Sequence, residues 1–163
     1  MNRATPANWR WRDDRTPGGP AAVFDLDGVL ADASGRQHLI GRPWADWDAF
    51  FDACGDDPLI DEVARLLEVL APELVVVLLT GRPLWVQPHT VDWLERMGLR
   101  WDLLIMRDHG DYDAAREFKR RTVHELRARD FDLRIAFEDD RRNVAMFHAE
   151  GVPCVYIHSG YHD

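Results

Sequence analysis

Acidic residues, a hydroxyl and arginines directly follow four short apolar runs of the sequence, and these residue types could hold a divalent cation and a phosphate group. Each one alone has a simpler explanation, because an Asp after a strand often only caps the next turn. Acids gathered at one edge of a sheet repel one another unless a cation lies between them, so together they predict a metal site. The residues are Asp25 with Asp27, Thr80 with Gly81 and Arg82, Arg107, and Glu138 with Asp139 and Asp140.

The apolar runs have the length and composition of buried strands, and helix-like stretches separate them. Apolar residues recur at i, i+3, i+4 and i+7 over 63–70, which marks a helix that ends before Pro72. Strands alternating with helices predict an α/β fold with a parallel sheet and helices on both faces. Ligands bind such sheets at the carboxyl ends of the strands, where the polar residues lie. We predict strands over 21–25, 74–80, 101–106, 133–138 and 153–157, and further helices over about 90–97, 113–129 and 141–150.

The chain has 163 residues, enough for one domain with a sizeable core. Residues 1–20 contain three prolines and two glycines without apolar periodicity, which predicts an irregular tail followed by a domain over 21–163. The longest apolar run, residues 74–79, is far shorter than the ~20 residues that span a bilayer, so no membrane segment is expected. The first residues lack the apolar stretch of a secretory signal, which favours a cytoplasmic location. Cys54 and Cys154 are predicted to be unpaired thiols.

The charge of the chain is unusual in two ways. Its 20 basic and 29 acidic residues give a net charge of −9, which disfavours a broad nonspecific nucleic-acid surface but not a phosphate partner. Nineteen of the basic residues are arginines, and Lys119 is the single lysine. Chance is the simplest explanation of that lysine unless other residues point to the same place.

Four short motifs together resemble those of the haloacid dehalogenase (HAD) superfamily, in order and at fitting spacing. They are FDLDGVL with Asp25 and Asp27, LLTGR with Thr80, the residue Lys119, and EDDR with Asp139. One of these motifs would be weak evidence, but all four at strand ends extend the resemblance over nearly everything from residue 21 onward. The resemblance implies a three-layer Rossmann-like fold and phosphatase activity, since dehalogenases of the superfamily lack the second aspartate.

The resemblance also implies a role for each matching residue. Asp25 would be the nucleophile that forms an aspartyl-phosphate, and Asp27 would protonate the leaving oxygen and then deprotonate water. Thr80 and the backbone of Gly81 would bind phosphoryl oxygens. Lys119 would contact both Asp25 and the phosphate, where a compact ammonium fits better than a planar guanidinium. The lone lysine therefore falls where the superfamily needs its cation.

Mg²⁺ is the cofactor that the resemblance implies. Its protein ligands would be the Asp25 carboxylate, the Asp27 main-chain carbonyl and the EDDR motif, with waters and a phosphate oxygen completing the octahedron. Asp139 and Asp140 both stand in that motif, and the sequence leaves open which of the two is the ligand.

The short insertions between the motifs bear on the substrate. Residues 29–60 offer room only for a flap and a short insert, so we predict a minimal cap and a nearly open site. An open site favours a substrate whose remainder projects outside, such as a polymer end. The stretches TGRP, MRDHGD and EDDRRNVAMF more closely resemble the phosphatase half of bacteriophage-type polynucleotide kinase-phosphatases. That half removes 3′-phosphates from DNA or RNA ends, so a phosphorylated nucleic-acid end is the expected substrate.

This closer resemblance assigns substrate binding to Arg36 in the flap and to Gly81 and Arg82. The chain departs from the family in two places: Asp113 stands where a basic residue is usual, and Ala115 where a carboxylate is usual, four residues before the lysine. No G-x-x-x-x-G-K-[ST] motif of a kinase half occurs, so a separate kinase or ligase is the expected partner.

Two other functions stay open at the level of the sequence. A 5′- or 3′-nucleotidase of free nucleotides is favoured by the net charge of −9, because acids repel a polyanion. A binding or regulatory module that has lost catalysis is the alternative from another class, and the intact set of motif residues argues against it.

Two further segments contain residues that could bind a ligand. Trp44 and Trp47 could stack on terminal bases, but with the two following phenylalanines they form an i, i+3, i+6, i+7 stripe that favours packing of a short helix. His158 and His162 are predicted to belong to an inert tail.

Overall fold

The computed structural model describes residues 3–41 and 43–163 of the chain. Strands and helices alternate along these residues, and 3₁₀ helices over Ala33–Ile40, Ala53–Asp56 and Leu84–Val86 occupy some of the connections. The strands are β1 (Trp9–Trp11), β2 (Gly19–Phe24), β3 (Val75–Pro83), β4 (Leu103–Arg107), β5 (Phe131–Glu138) and β6 (Cys154–Tyr156). The helices are α1 (Trp47–Asp52), α2 (Asp61–Val69), α3 (Gln87–Arg96), α4 (Ala115–Ala128) and α5 (Arg141–Ala149).

The strands form one six-stranded sheet in the order β1-β4-β3-β2-β5-β6. β2 to β6 pair in parallel, and only the edge strand β1 runs antiparallel to its neighbour β4. β2 lies between β3 and β5, so the residues that follow these strands emerge side by side at one edge. The predicted α/β fold with a three-layer Rossmann-like arrangement is confirmed.

Alternate residues of the central strands pack against opposite helical layers. On β2, Ala22 and Phe24 join the core formed with α2 and α3, whereas Ala21 and Val23 join the core formed with α4 and α5. Both faces of the sheet are therefore covered. This is why the strands appear in the sequence as continuous apolar runs and not as an alternation of apolar and polar residues.

The prediction of an irregular tail over 1–20 needs correction. Met1 and Asn2 lie outside the described residues, but β1 and the first residues of β2 fall within this range. β1 pairs with β4, and Trp9 is buried. A strand of three residues is too short to show a period, so the sequence carried no signal for it, although its tryptophans supply the apolar area that anchors it.

The insert between β2 and α2 is small, as the short spacing predicted. It contains a turn closed by bridges of Ala31 with Asp27 and with Leu59, the 3₁₀ helix over 33–40, the short α1 and the 3₁₀ helix over 53–56. Cys54 in this insert and Cys154 on β6 are both free thiols, as predicted. Among the described residues, no helix has the length and apolarity required to cross a bilayer.

Candidate active site

The carboxyl edge of the sheet brings three of the predicted residues into one cluster. Asp25 follows β2, Asp139 follows β5, and Lys119 reaches the same point from the inner face of α4. The Lys119 Nζ lies 3.2 Å from Asp25 Oδ1 and also forms an ion pair with Glu138, the last residue of β5. The Leu26 N–H donates a hydrogen bond to the same Asp25 oxygen at 2.8 Å. One oxygen of Asp25 is thus fixed by a charge and by the backbone.

Lys119 carries its charge although the side chain is only 2% exposed. Burial on its own lowers the pKa of an ammonium, but the carboxylates of Asp25 and Glu138 outweigh it and raise the pKa of Lys119. The kinase-phosphatases that the sequence resembles usually have a carboxylate four residues before the lysine. This chain has Ala115 there, so no acid lies one helical turn before Lys119. The two acids at the strand ends orient Lys119 in its place.

Three carboxylates in this cluster could hold a metal ion. Oxygens of Asp25, Glu138 and Asp139 lie within 4.8 Å of one another, and all three side chains are buried or nearly so. Burial raises the pKa of Asp25 well above its usual value, the charges of Glu138 and Asp139 raise it further, and Lys119 only partly opposes them. Such a concentration of negative charge favours a cation between the acids.

Two local features fit a hydrated divalent ion at this place. Asn143 on α5 donates to Glu138 Oε2 at 3.3 Å, while its own buried Oδ1 has no described partner and could accept a hydrogen bond from water around the ion. Gly28 adopts a φ of +82°, and a Cβ there would lie 2.1 Å from Asp139 Oδ2. The glycine therefore leaves the room that the Asp139 carboxylate occupies. An all-oxygen set of carboxylates is the kind that Mg²⁺ prefers.

Asp140 lies outside this cluster of three carboxylates, and its predicted role as a ligand stays a prediction. Its Oδ1 accepts the Arg142 N–H at 2.9 Å as the N-cap of α5, and its carboxylate pairs with the Arg142 guanidinium at 2.9 Å. Burial on its own raises the pKa of Asp140, but the contacts with Arg142 outweigh burial and lower that pKa. Glu138 and Asp139 both face the cluster, whereas Asp140 is the N-cap residue of α5. The predicted part of the Asp27 carbonyl in metal binding stays a prediction.

The Asp27 side chain is held by two buried arginines. Arg36 Nη2 and Arg82 Nη2 each lie 2.7 Å from Asp27 Oδ1, and both guanidinium groups also pair with Asp57. Arg36 is 3% exposed and Arg82 is fully buried. Substrate binding by these arginines stays a prediction, and in the structure both guanidinium groups serve as counter-charges for the carboxylates of Asp27 and Asp57. Both act as positioning residues for Asp27.

The charge state of Asp27 follows from these contacts. Burial raises the pKa of the carboxyl, but Arg82 and Arg36 outweigh burial, and the pKa is lowered. Asp27 is therefore ionised in the free protein. It can accept a proton from water directly, whereas it can donate one only after acquiring it together with a substrate.

Asp57 is a buried residue of the site that the sequence did not single out. Arg36 Nε and Nη2 donate to its two carboxylate oxygens at 2.8 and 2.7 Å, and the Trp93 indole N–H donates to its backbone carbonyl at 2.7 Å. Burial raises the pKa of Asp57, although Arg36 opposes that shift. Nothing in the sequence separates it from the neighbouring, exposed Asp56. Only the packing of the insert reveals its position.

Asp57→Asn should weaken both stability and activity. Asp27 would then be the main counter-charge for two buried guanidinium groups, which should lower the free energy of unfolding by about 2 kcal/mol. Misplacement of Asp27 should lower kcat by about 10- to 100-fold. Urea unfolding and steady-state turnover measure the two effects. Asp56→Asn is the matched control, and equal behaviour of both variants would show that Asp57 does not hold the arginines.

Cation binding should release a proton from Asp25. Its raised pKa means that the carboxyl keeps a proton to higher pH than an ordinary Asp, and a cation must displace that proton. The apparent affinity for Mg²⁺ should therefore rise with pH and level off once the carboxyl is ionised. Calorimetric titration in buffers of different ionisation enthalpy counts the protons. Buffer-independent heats for the unmodified protein would contradict this, and Asp25→Asn should give such heats.

The remaining predicted phosphate contacts lie towards the carboxyl end of β3, the strand that neighbours β2 in the sheet. Thr80 is buried in β3, and its Oγ1 accepts the Arg82 N–H at 3.1 Å, which leaves the hydroxyl proton to donate. The Gly81 carbonyl accepts from Arg107 Nε at 3.4 Å. Phosphoryl binding by Thr80 and by the Gly81 backbone stays a prediction.

Trp47 and Trp44 only partly follow the packing interpretation. The Trp47 ring stacks on Phe51 with centroids 5.9 Å apart and meets Phe50 edge-on at 5.6 Å, yet it is 53% exposed. Trp44 is 86% exposed and lies outside the core. Phe50 is buried and lies 4.3 Å below the Arg36 guanidinium. The exposed Trp47 therefore contacts Phe50, which in turn contacts Arg36, one of the two arginines that hold Asp27.

The segment with His158 and His162 is not an inert tail. His162 Nε2 lies 3.5 Å from Asp139 Oδ2, and its Nδ1 lies 3.6 Å from Asp140 Oδ2. The segment thus folds back against the acidic cluster. His158 instead contacts Tyr156 and Asp163.

Comparisons with known proteins agree with this architecture. A family model described as the polynucleotide kinase PNKP phosphatase domain matches residues 19–162. A chain in the structure of the Pnkp1/Rnl/Hen1 RNA repair complex is 26% identical, with a TM-score of 0.71, over 96% of this chain and 48% of that chain. A chain in a second Pnkp1/Rnl/Hen1 structure is also 26% identical, with a TM-score of 0.72, over 99% of this chain and 53% of that chain.

A more distant likeness concerns the fold alone. A HAD-like phosphatase from Mesorhizobium loti is 12% identical over 88% of this chain and 75% of that chain, with a TM-score of 0.58. The chain spans about half the length of the chains it matches in the two repair complexes.

Proposed function

Because the chain belongs to the polynucleotide kinase PNKP phosphatase domain family, and is thus a HAD phosphatase, we propose that it removes the 3′-phosphate from nucleic-acid ends. We propose that it does so with Mg²⁺ and through an aspartyl-phosphate. The observation that carries the mechanism is the contact of Lys119 with Asp25 beside Glu138 and Asp139, at an edge of the sheet with only a small insert over it. The observation that supports the substrate is the match to the family model over residues 19–162.

In the first step, a carboxylate oxygen of Asp25 attacks phosphorus and the bond from phosphorus to the leaving 3′-oxygen breaks. The leaving oxygen takes a proton through Asp27. Since Asp27 is ionised in the free protein, this proton arrives with the substrate, whose phosphate has a second pKa of about 6. Lys119 offsets the negative charge that gathers on the phosphoryl oxygens, and Thr80 donates a hydrogen bond to one of them.

In the second step, water attacks the phosphorus of the acyl phosphate and gives its proton to Asp27. The bond between phosphorus and the Asp25 oxygen breaks, which releases inorganic phosphate and restores the carboxylate. Arg36 and Arg82 hold the Asp27 carboxylate in one position through both steps. The Asp27 side chain is still 22% exposed, so substrate and water can reach the carboxylate from solvent.

Asp25, Glu138 and Asp139 are the residues that would hold Mg²⁺. When bound, the ion would supply positive charge to a phosphoryl oxygen and reduce the repulsion between the phosphate and the carboxylates. A bound cation would explain why three carboxylates, one of them the proposed nucleophile Asp25, can lie so close together.

The surroundings of Asp27 indicate where the leaving nucleoside would lie. A general acid must contact the leaving oxygen, so the nucleoside extends from the Asp27 side of the site. Arg36, Phe50 and the exposed Trp47 follow one another outward on that side. An aromatic ring there offers a surface for a base, whereas the carboxylates of Asp46, Asp48 and Asp52 beside Trp85 disfavour a long run of phosphates.

That acidic surface, together with the net charge of −9, favours one alternative substrate, a free 3′- or 5′-nucleotide. A polynucleotide end gains rate over a mononucleotide only if the protein engages more than the terminal residue. Chain-length dependence therefore separates the two functions.

The experiment compares a 3′-phosphorylated ten-residue oligonucleotide, its 5′-phosphorylated counterpart and a 3′-mononucleotide, each with Mg²⁺ and with EDTA. We expect Mg²⁺-dependent release of phosphate from the 3′-phosphorylated oligonucleotide, with kcat/KM at least about tenfold above that for the mononucleotide, equivalent to about 1.4 kcal/mol. Equal or faster turnover of the mononucleotide would favour the nucleotidase. No release from any of the three at micromolar protein would refute both the polynucleotide 3′-phosphatase and the 3′-nucleotidase, and a 5′-mononucleotide assayed in the same way tests the 5′-nucleotidase.

The chains of the repair complexes suggest that a protein of this kind acts beside other repair enzymes. A separate kinase or ligase as partner is part of our proposal. The cytoplasmic location predicted from the sequence stays a prediction.

A further inference from the structure

The segment over residues 158–162 connects the acidic cluster with the flap. It follows β6, whose end is fixed by the hydrogen bond from the Ile157 N–H to the Glu138 carbonyl at 2.8 Å. From there the chain crosses the carboxyl edge of the sheet towards the turn that follows β2. We call residues 158–162 the crossing segment.

Ser159 is the crossing-segment residue that touches a proposed metal ligand most closely. Its Oγ–H donates to Asp139 Oδ2 at 2.6 Å, and its Oγ accepts the Tyr161 N–H at 3.2 Å. The hydroxyl is therefore oriented from both sides: the backbone of the segment fixes the oxygen, and its proton is directed at the carboxylate.

This contact commits one of the two Asp139 oxygens. Among the described residues, the hydrogen-bond and ion-pair partners of Asp139 all lie at Oδ2: the Ser159 hydroxyl and the more distant His162 ring. The Asp139 side chain is nearly fully buried, and Gly28 leaves the space that Oδ2 occupies, so the carboxylate has little freedom to turn. Oδ1 is left for a cation.

Tyr161 ties the same segment to the flap. Its phenolic O–H donates to Asp32 Oδ1 at 3.1 Å, and that carboxylate oxygen also accepts the Ser34 N–H at 3.0 Å as the cap of the 3₁₀ helix that carries Arg36. The crossing segment thus links the metal-ligand side of the site to the helix that positions Asp27.

We propose that Ser159 is a positioning residue for the proposed metal ligand Asp139. Tyr161 keeps Ser159 in place through its hydrogen bond to Asp32, the cap of the 3₁₀ helix over 33–40. This inference rests on the proposed Mg²⁺-dependent function. The serine acts through Asp139: it sets the carboxylate rotamer before the cation arrives, so that less ordering remains for the binding step. Hydrogen-bonded partners of ligating carboxylates typically change metal affinity by about 10- to 100-fold when removed.

The test is direct titration of the full chain with Mn²⁺ and with Mg²⁺ in the absence of substrate, followed by calorimetry or, for Mn²⁺, by the loss of the free-ion magnetic resonance signal. Ser159→Ala should raise the dissociation constant about tenfold, and Ser159→Thr, which keeps the hydroxyl, should recover most of the affinity. Tyr156→Phe is the matched control: among the described residues, its phenolic O–H contacts His158 of the crossing segment but neither Ser159 nor Asp139, so the affinity should stay unchanged.

Activity supplies a second readout. With Ser159→Ala, the Mg²⁺ concentration for half-maximal turnover should rise about tenfold, whereas kcat at saturating Mg²⁺ should stay within about threefold of the unmodified protein. A general structural role would instead lower kcat at every Mg²⁺ concentration and the midpoint of urea unfolding, and that outcome would overturn the proposal.

The two proposals fail separately. If the unmodified protein hydrolyses phosphate monoesters but Ser159→Ala binds both ions as tightly as the unmodified protein, the role of Ser159 is refuted and the function stands. If the protein turns over none of the substrates while the ion affinity still falls in Ser159→Ala and returns in Ser159→Thr, the proposed function is refuted and the positioning role is supported.

Discussion

Asp25→Asn should lower phosphatase turnover by about 10⁴-fold or more, because removal of a nucleophile abolishes the covalent route and leaves only the binding contribution of the site. Asparagine has nearly the volume of aspartate and cannot form an acyl phosphate. The pKa of Asp25 is raised by burial and by the surrounding acids, so a neutral side chain suits the metal-free fold. We therefore expect the free energy of unfolding without metal to stay the same or to rise slightly.

The appropriate control is Asp132→Asn, an identical exchange at an exposed position where, among the described residues, the carboxylate pairs with Arg134 alone. It should keep full activity. Steady-state release of phosphate, with the unfolding midpoint measured on the same preparations, compares the two variants. Turnover of Asp25→Asn within about tenfold of the unmodified protein would mean that another group attacks phosphorus.

Lys119→Met should have the second-largest effect, and it should affect both stability and rate. Methionine fills a similar volume without charge, so Glu138 is left buried with no cation beside it. Loss of one partner of a buried ion pair lowers the free energy of unfolding by about 3–5 kcal/mol. Loss of the charge that stabilises the transition state lowers kcat by about 10²–10³-fold.

A second substitution separates these two effects. Glu138→Gln in the Lys119→Met background removes the stranded buried charge, so most of the lost stability should return while activity stays low. The double-mutant cycle isolates the coupling between the two residues. Recovery of activity together with stability would contradict a direct role for Lys119. Lys119→Arg should not restore turnover either, because a planar guanidinium is too large for the space that the buried ammonium occupies.

The site residues that could be predicted from the sequence lie where the fold fixes their position. Asp25 and Asp139 follow apolar strands, and parallel strands deliver their ends to a common edge, so the pattern of runs already brings them together. Lys119 stood out because it is the only lysine among 20 basic residues. It lies in contact with Asp25, as the resemblance implied.

Other parts of the site depend on packing that has no period in the sequence. The choice between Asp139 and Asp140 turns on which residue caps α5, a difference of one position that strand propensity does not resolve. Asp57 follows a 3₁₀ helix in the insert and is held there by hydrogen bonds from Arg36 and Trp93, which are distant in sequence. These features arise from tertiary contacts, so sequence patterns could not supply them.

Arg36 and Arg82 illustrate the same limit of sequence patterns in another way. Their types and positions suit phosphate recognition, and nothing in the sequence says that their side chains are buried. In the structure both side chains are buried and serve as counter-charges for Asp27 and Asp57. Their charges lower the pKa of Asp27, which bears directly on how a proton would reach the leaving oxygen.

The covalent intermediate is the central claim, and chemical trapping tests it most directly. The protein is mixed with 3′-phosphorylated oligonucleotide and Mg²⁺, quenched in acid within the first turnover, and reduced with borohydride, which converts an acyl phosphate of aspartate to homoserine. Peptide mass spectrometry should find homoserine at position 25 alone, in amounts that depend on substrate and Mg²⁺. Hydrolysis of the substrate with no modified residue at any quench time, or with the modification at another carboxylate, would contradict the account.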